Sequence, residues 1–256
     1  MTSALPRLQR LPPVSLLLVA AAAAWVGLVV VARNMGSMPG TMGLGPASFA
    51  AVWVLMMTAM MLPSVAPFAA LYTRTFGDNR SVRLVAFASG YLLVWSAAAI
   101  PAYGLAYLAD RAAPGHETAA TVLAVAIFAA CGVYQLTPLK DRCLAHCRSP
   151  LGFVLKFASY QGRTRDLRVG LYHGGFCLGC CWALMILLIA FGLMNVIAMV
   201  VLAAVVLTEK TWRWGPGLAK AIGVVALVLA VVVIFRPGLA PGLDPTVAPQ
   251  PMGGMQ

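Results

Sequence analysis

Three cysteines lie within five residues of one another, Cys177, Cys180 and Cys181 in CLGCCWALM, at the start of a strongly apolar run. Thiolates are soft ligands for Cu(I) or Zn(II), and they are also the nucleophiles of thiol–disulfide exchange. His173, Cys177 and Cys181 follow a spacing of four, so on a helix they form a ladder, with Cys180 one turn from Cys177. Gly174, Gly175 and Gly179 remove side chains around the thiols and permit close approach of another helix or an ion. Gly and Cys also serve as small packing residues at helix interfaces, but three thiols in five residues favour a site over packing.

Two further groups carry soft donors. In CLAHC, helical geometry puts Cys143 and Cys147 on one face with His146 beside them, enough to close two thiolates and an imidazole around one ion. Buried small cysteines next to a surface histidine would give the same pattern. In MMTAMMLPS, Met56 pairs with Met60 and Met57 with Met61 at helical spacing, and Pro63 and Pro67 are expected to interrupt the helix and free nearby carbonyls. Thioethers suit Cu(I), although methionine is also a common gap-filler in apolar cores. Met35, Met38 and Met42 form a looser set in a Gly/Pro loop, and Cys131 stands alone as a packing residue.

These residues need a scaffold, and composition names it. The 256 residues are 61% hydrophobic and 10% charged, against about half apolar in soluble domains. The expected architecture is an all-α, polytopic transmembrane helix bundle. Apolar runs fall at about 15–32, 47–72, 82–108, 119–139, 176–208 and 218–235. The fifth is too long, since 33 residues make a helix of about 50 Å against a hydrocarbon core of ~30 Å. A turn at Gly192-Leu193-Met194-Asn195 divides it, which raises the expected spans from six to seven. With the N-terminus cytoplasmic, twelve Lys and Arg up to residue 175 lie inside, against Arg33 and Arg111 outside, and Lys210, Arg213 and Lys220 join the inside set.

The expected organisation is one transmembrane domain over 1–236 and a disordered Pro/Gly-rich tail over 237–256. Arg7 and Arg10 before an apolar stretch also resemble a secretory signal, but the stretch exceeds the usual 7–15 residues. The net charge of +11 is scattered between spans and forms no basic stripe, so nucleic acid is not an expected partner. Glu209 and Lys210 could form an intramembrane pair, which would mark function, but their place at the end of a span reads as interfacial anchors, and the basic loop 140–173 reads as solvated charge facing lipid headgroups. Three histidines and seven carboxylates, with no phosphate loop or nucleophile elbow, argue against an enzyme and against hard-metal cages. All cysteines except Cys131 fall near the cytoplasmic boundary, where thiols stay reduced and free.

The strings MMTAMMLPS, GYLLVW, YQLTPLKDRCLAHCRSPLGF, GLYHGGFCLGCCWALM and GLMN followed by a span ending in EK occur in order from about residue 47 to 215. In these strings the chain resembles the bacterial family catalogued as domain of unknown function 2182, described as predicted metal-binding integral membrane proteins. The resemblance implies a shared site formed by Cys143, Cys147, Cys177, Cys180 and Cys181.

The sequence therefore points to a bacterial inner-membrane protein that binds a soft metal ion on the cytoplasmic side, Cu(I) ahead of Zn(II), and takes part in its transport or delivery. The expected ligands are Cys143, His146, Cys147, His173, Cys177, Cys180 and Cys181, with Met56, Met57, Met60 and Met61 as a thioether path. Membrane lipid and a metallochaperone or membrane-complex partner are the expected contacts. Two other classes fit the same residues: a transmembrane thiol–disulfide conduit, and a structural or assembly subunit whose cysteines serve helix packing.

Overall fold

A computed structural model describes residues 13–35, 40–74, 79–112, 117–149, 152, 157, 162 and 164–243. The helices are α1 (Pro13–Met35), α2 (Pro46–Thr73), α3 (Arg80–Ala97), α4 (Ala99–Ala112), α5 (Glu117–Gln135), α6 (Pro138–Arg148), α7 (Arg165–Phe191), α8 (Val196–Thr211) and α9 (Gly215–Phe235). No strand occurs among the described residues, so the expected all-α bundle is what forms. Among the described residues, six segments are long and apolar enough to cross a membrane: Val14–Met35, Pro46–Thr73, Arg80–Arg111, Thr118–Gln135, Arg165–Phe191 and Gly215–Phe235.

The long fifth run does divide at the expected place. Gly192 takes a φ of +91°, which favours glycine, and Asn195 caps α8 by accepting from the Ala198 amide at 3.1 Å. The return arm α8 has 16 residues, about 24 Å of helix, and is too short to count as a seventh span by length alone. The first part of the expected tail packs onto this turn: the Gly242 amide donates to the Ala190 carbonyl at 2.9 Å, and Leu243 is buried. Residues 244–256 lie outside the described set, as do Met38 and His116.

Pro63 and Pro67 do not interrupt α2, contrary to expectation. The helix runs through both to Thr73. Membrane helices keep prolines where neighbouring groups satisfy the loosened backbone. Near Pro63 the Ser64 and Tyr91 hydroxyls both donate to the Met61 carbonyl, at 2.9 and 3.4 Å, which ties this stretch of α2 to α3.

Glycine sets the closest crossing of the bundle. A Cβ on Gly90 of α3 would stand 2.2 Å from the Leu167 carbonyl oxygen, and one on Gly170 of α7 would stand 2.0 Å from that of Phe87. Backbone meets backbone, so no rotamer change makes room. Asp166 fastens the same end of α7, accepting from Arg83 Nε at 2.9 Å and Tyr72 Oη at 2.6 Å. Gly170→Ala is expected to cost at least the ~1–3 kcal/mol of an overpacked core, whereas Gly175→Ala, whose Cβ would meet nothing within 4 Å, should be neutral. Thermal unfolding of the two variants in detergent checks this, and equal midpoints would refute it.

Candidate metal centre

The α7 helix carries Cys177, Cys180 and Cys181 inward, and their sulfurs all lie within 4.8 Å of one another. All three are at most 1% exposed. The Cys180 and Cys181 thiols donate back to the Cys177 carbonyl at 3.2 and 2.8 Å, as small polar side chains in apolar helices do. The Cys177 and Cys181 sulfurs stand 3.8 Å apart. From α6, Cys147 reaches across to put its sulfur 3.7 Å from that of Cys180. Cys147 thus joins the edge of the α7 group through Cys180, while the sulfurs that lie within 4.8 Å of one another are those of Cys177, Cys180 and Cys181, and all cysteines are free thiols.

The short α6 can deliver Cys147 because both its ends are fixed. Thr137 caps its start by accepting from the Lys140 amide, and Pro138 takes the first helical position, where no donor is missed. At the other end the Arg148 guanidinium donates to the Glu209 and Trp212 carbonyls, each at 2.6 Å. Gly179 completes the fit, since a Cβ there would lie 2.8 Å from the Cys143 sulfur. Cys143 therefore rests on α7 beside the group, and it also lines an apolar cleft of about 1030 Å³ bounded by Trp95, Pro101, Leu105, Trp182 and Met185.

The expected histidines separate. His173 is buried one turn before Cys177, its ring stacked 4.2 Å from that of Phe68. His146 is exposed, stacked 4.1 Å from Phe176, with Nδ1 at 2.9 Å from the Arg142 carbonyl, and stands outside the buried sulfur group. Met56, Met57, Met60 and Met61 are all buried in the core of α2. Met61 adjoins the centre through its carbonyl, which the Tyr91 hydroxyl reaches while lying 2.9 Å from the Cys177 sulfur.

Two lysines complete the centre, and reading the sequence missed both. Lys210 is 9% exposed, and its ammonium donates to the Cys177 sulfur at 2.9 Å and to Ser64 Oγ at 3.0 Å. It is no interfacial anchor, because the α7–α8 turn folds it back against α7. Lys140 is fully buried and is not lipid-facing charge. Its ammonium donates to the Cys180 carbonyl and pairs with Glu209 at 2.6 Å, while Gln135 donates to the other Glu209 oxygen at 3.0 Å. Glu209 is thereby a core residue as well. Ionisable side chains at such depth are costly and mark functional positions, which is the signal that was available.

Outside the spanning helices, the hydrogen bond with Cys180 and then burial hold the Cys147 thiol well above the ordinary thiol range, and burial raises that of Cys143. Both thiols keep their protons near neutrality, so an arriving soft metal ion must displace protons, and acid opposes its retention.

The donor set is soft and compact. Sulfurs sharing one metal ion at bonds of roughly 2.3 Å sit about 3.8 Å apart in a tetrahedral site; the Cys177–Cys181 pair stands at that separation within the three-sulfur group, and Cys147 stands 3.7 Å from Cys180 at its edge. A family model described as copper chaperone matches residues 50–233, a stretch holding all four sulfurs and both lysines. No curated protein and no solved structure matches. The matched stretch is well over half of the chain, and the protein accordingly belongs to this copper chaperone family.

Proposed function

We propose that the protein is a bacterial inner-membrane carrier that takes up Cu(I) at its cytoplasmic side, holds it on Cys147, Cys177, Cys180 and Cys181, and passes it on in transport or delivery. The observation that carries this reading is the buried three-thiol group of α7, with Cys147 of α6 against its Cys180, in a member of a copper chaperone family. Four soft donors with no carboxylate among them favour a soft ion, and the buried thioethers of α2 favour copper over zinc. The likeness of the cysteine strings to the domain of unknown function 2182 family supports the same positions.

In this reading Cys143, half-buried and raised on Gly179, is the exchange thiol between the centre and a metallochaperone or membrane-complex partner. His173 closes the inner side, and His146 stands at the mouth. The charge count of the loops supports a cytoplasmic location for this end, where copper is monovalent and thiols are reduced. No bond of the cargo is made or broken beyond metal–ligand exchange, so the role is carriage and not catalysis.

Elemental analysis of reduced protein in detergent tests this. Near-stoichiometric copper is expected in the wild type, and only background in a Cys177/Cys180/Cys181-to-Ser variant. Equal, negligible metal in both would overturn the reading in favour of thiol exchange or packing.

A further inference from the structure

Lys210 stands against the thiols in an unusual way. Its ammonium touches Cys177 and Ser64, and no carboxylate lies within ion-pair distance of it among the described residues. Its neighbour Glu209 faces the other way, engaged by Lys140 and Gln135. The groups that surround Lys210 are Ser64 from α2, Tyr91 from α3, Cys147 from α6, and His173, Cys177, Cys180 and Cys181 from α7. None carries a permanent negative charge. A buried cation needs a partner, so the anion that neutralises Lys210 has to come from these thiols, with or without an ion on them.

We propose that Lys210 is the charge-selectivity residue of the centre, favouring a monovalent soft ion over a divalent one on the same sulfurs. This rests on the carrier reading above. The ammonium repels every positive charge on the ion, so for the same thiolates a divalent ion is opposed by one charge more than a monovalent one. An ion bound to Cys177 lies within about 5 Å of Nζ, one bond beyond the 2.9 Å contact. At that distance each extra positive charge on the ion is worth about a hundredfold in affinity at the effective dielectric of buried sites.

Ag(I) and Cd(II) are a suitable pair of probes, because both are soft, redox-inert and share a closed d shell while differing in charge. Their dissociation constants are to be compared for the reduced wild type, Lys210→Met, Lys210→Arg and Ser64→Asp, using the thiolate-to-metal absorption in detergent. The expected result is a ratio that moves at least tenfold towards Cd(II) in Lys210→Met and stays near wild type in Lys210→Arg. Ser64→Asp keeps the lysine but places a carboxylate against it, and is expected to move the ratio the same way as Lys210→Met. It serves as the reporter if the methionine variant fails to fold. A folded Lys210→Met or Ser64→Asp protein with an unmoved ratio overturns the role of Lys210 and leaves the carrier reading standing. A wild type that retains no Ag(I) overturns the carrier reading itself.

Discussion

Cys180→Ser is expected to lower Cu(I) affinity by at least about a hundredfold, beyond the 10–100-fold typical of losing a group that only supports a ligand. Cys180 is the joint of the centre. Its sulfur meets Cys147 across two helices and lies within 4.8 Å of both other α7 sulfurs. Serine keeps the size and the bond that the thiol makes to the Cys177 carbonyl at 3.2 Å. The helix and its packing therefore survive while the soft donor goes, because a hydroxyl stays protonated and binds copper poorly. Cys131→Ser is the matched control, since Cys131 is a buried free thiol of α5 that is not part of the Cys177/Cys180/Cys181 group. Competition with a Cu(I)-specific colorimetric chelator reads both. A folded Cys180→Ser protein that competes as well as wild type would show that copper does not sit on these four sulfurs.

The second large effect concerns stability. Lys140→Met should destabilise the folded protein by about 3–5 kcal/mol, the usual penalty for leaving one partner of a buried ion pair alone. Lys140 and Glu209 are 0% and 1% exposed, and with the lysine gone Glu209 would retain only Gln135. The Cys180 carbonyl would lose its donor as well. The double variant Lys140→Met/Glu209→Leu removes the stranded charge and is expected to recover most of the loss, as apolar replacement of buried pairs commonly does. Unfolding midpoints of the single and double variants in detergent decide the matter. A double variant as unstable as Lys140→Met would locate the loss in packing and not in charge.

Much of this was legible in the sequence. Apolar run lengths and the Gly192–Asn195 signal gave the spans and the hairpin, because both depend on local composition and turn chemistry. The meeting of Cys147 with the α7 thiols was suggested by shared membrane side. The lysines were not legible, for a physical reason. Counting charges for topology treats every lysine alike, whereas the burial of Lys210 depends on Ser64 and Tyr91, 146 and 119 positions earlier in the chain. Lys140 is drawn inward by Glu209, at a separation of 69 residues. His146 follows Cys143 by three residues on a short helix, and its ring stacks on Phe176 at the exposed side, a placement that spacing alone does not give. Pro63 and Pro67 do not end α2, because packing of the surrounding helices holds an apolar membrane helix together through a proline.

The hairpin of α7 and α8 has one further property. Fourteen positions separate Cys177 from Phe191 on the way up, and the same number separate Val196 from Lys210 on the way down. The two arms work as a vernier, with the ammonium brought level with its sulfur by counting from the turn. Adding one residue anywhere in α8 would swing Lys210 through about 100° and shift it by about 1.5 Å. Evolution can therefore exchange the exposed apolar side chains of α8, such as Ile197, Val200 and Val201, more readily than it can change the arm's length: insertions and deletions there should be purged while substitutions on that face drift.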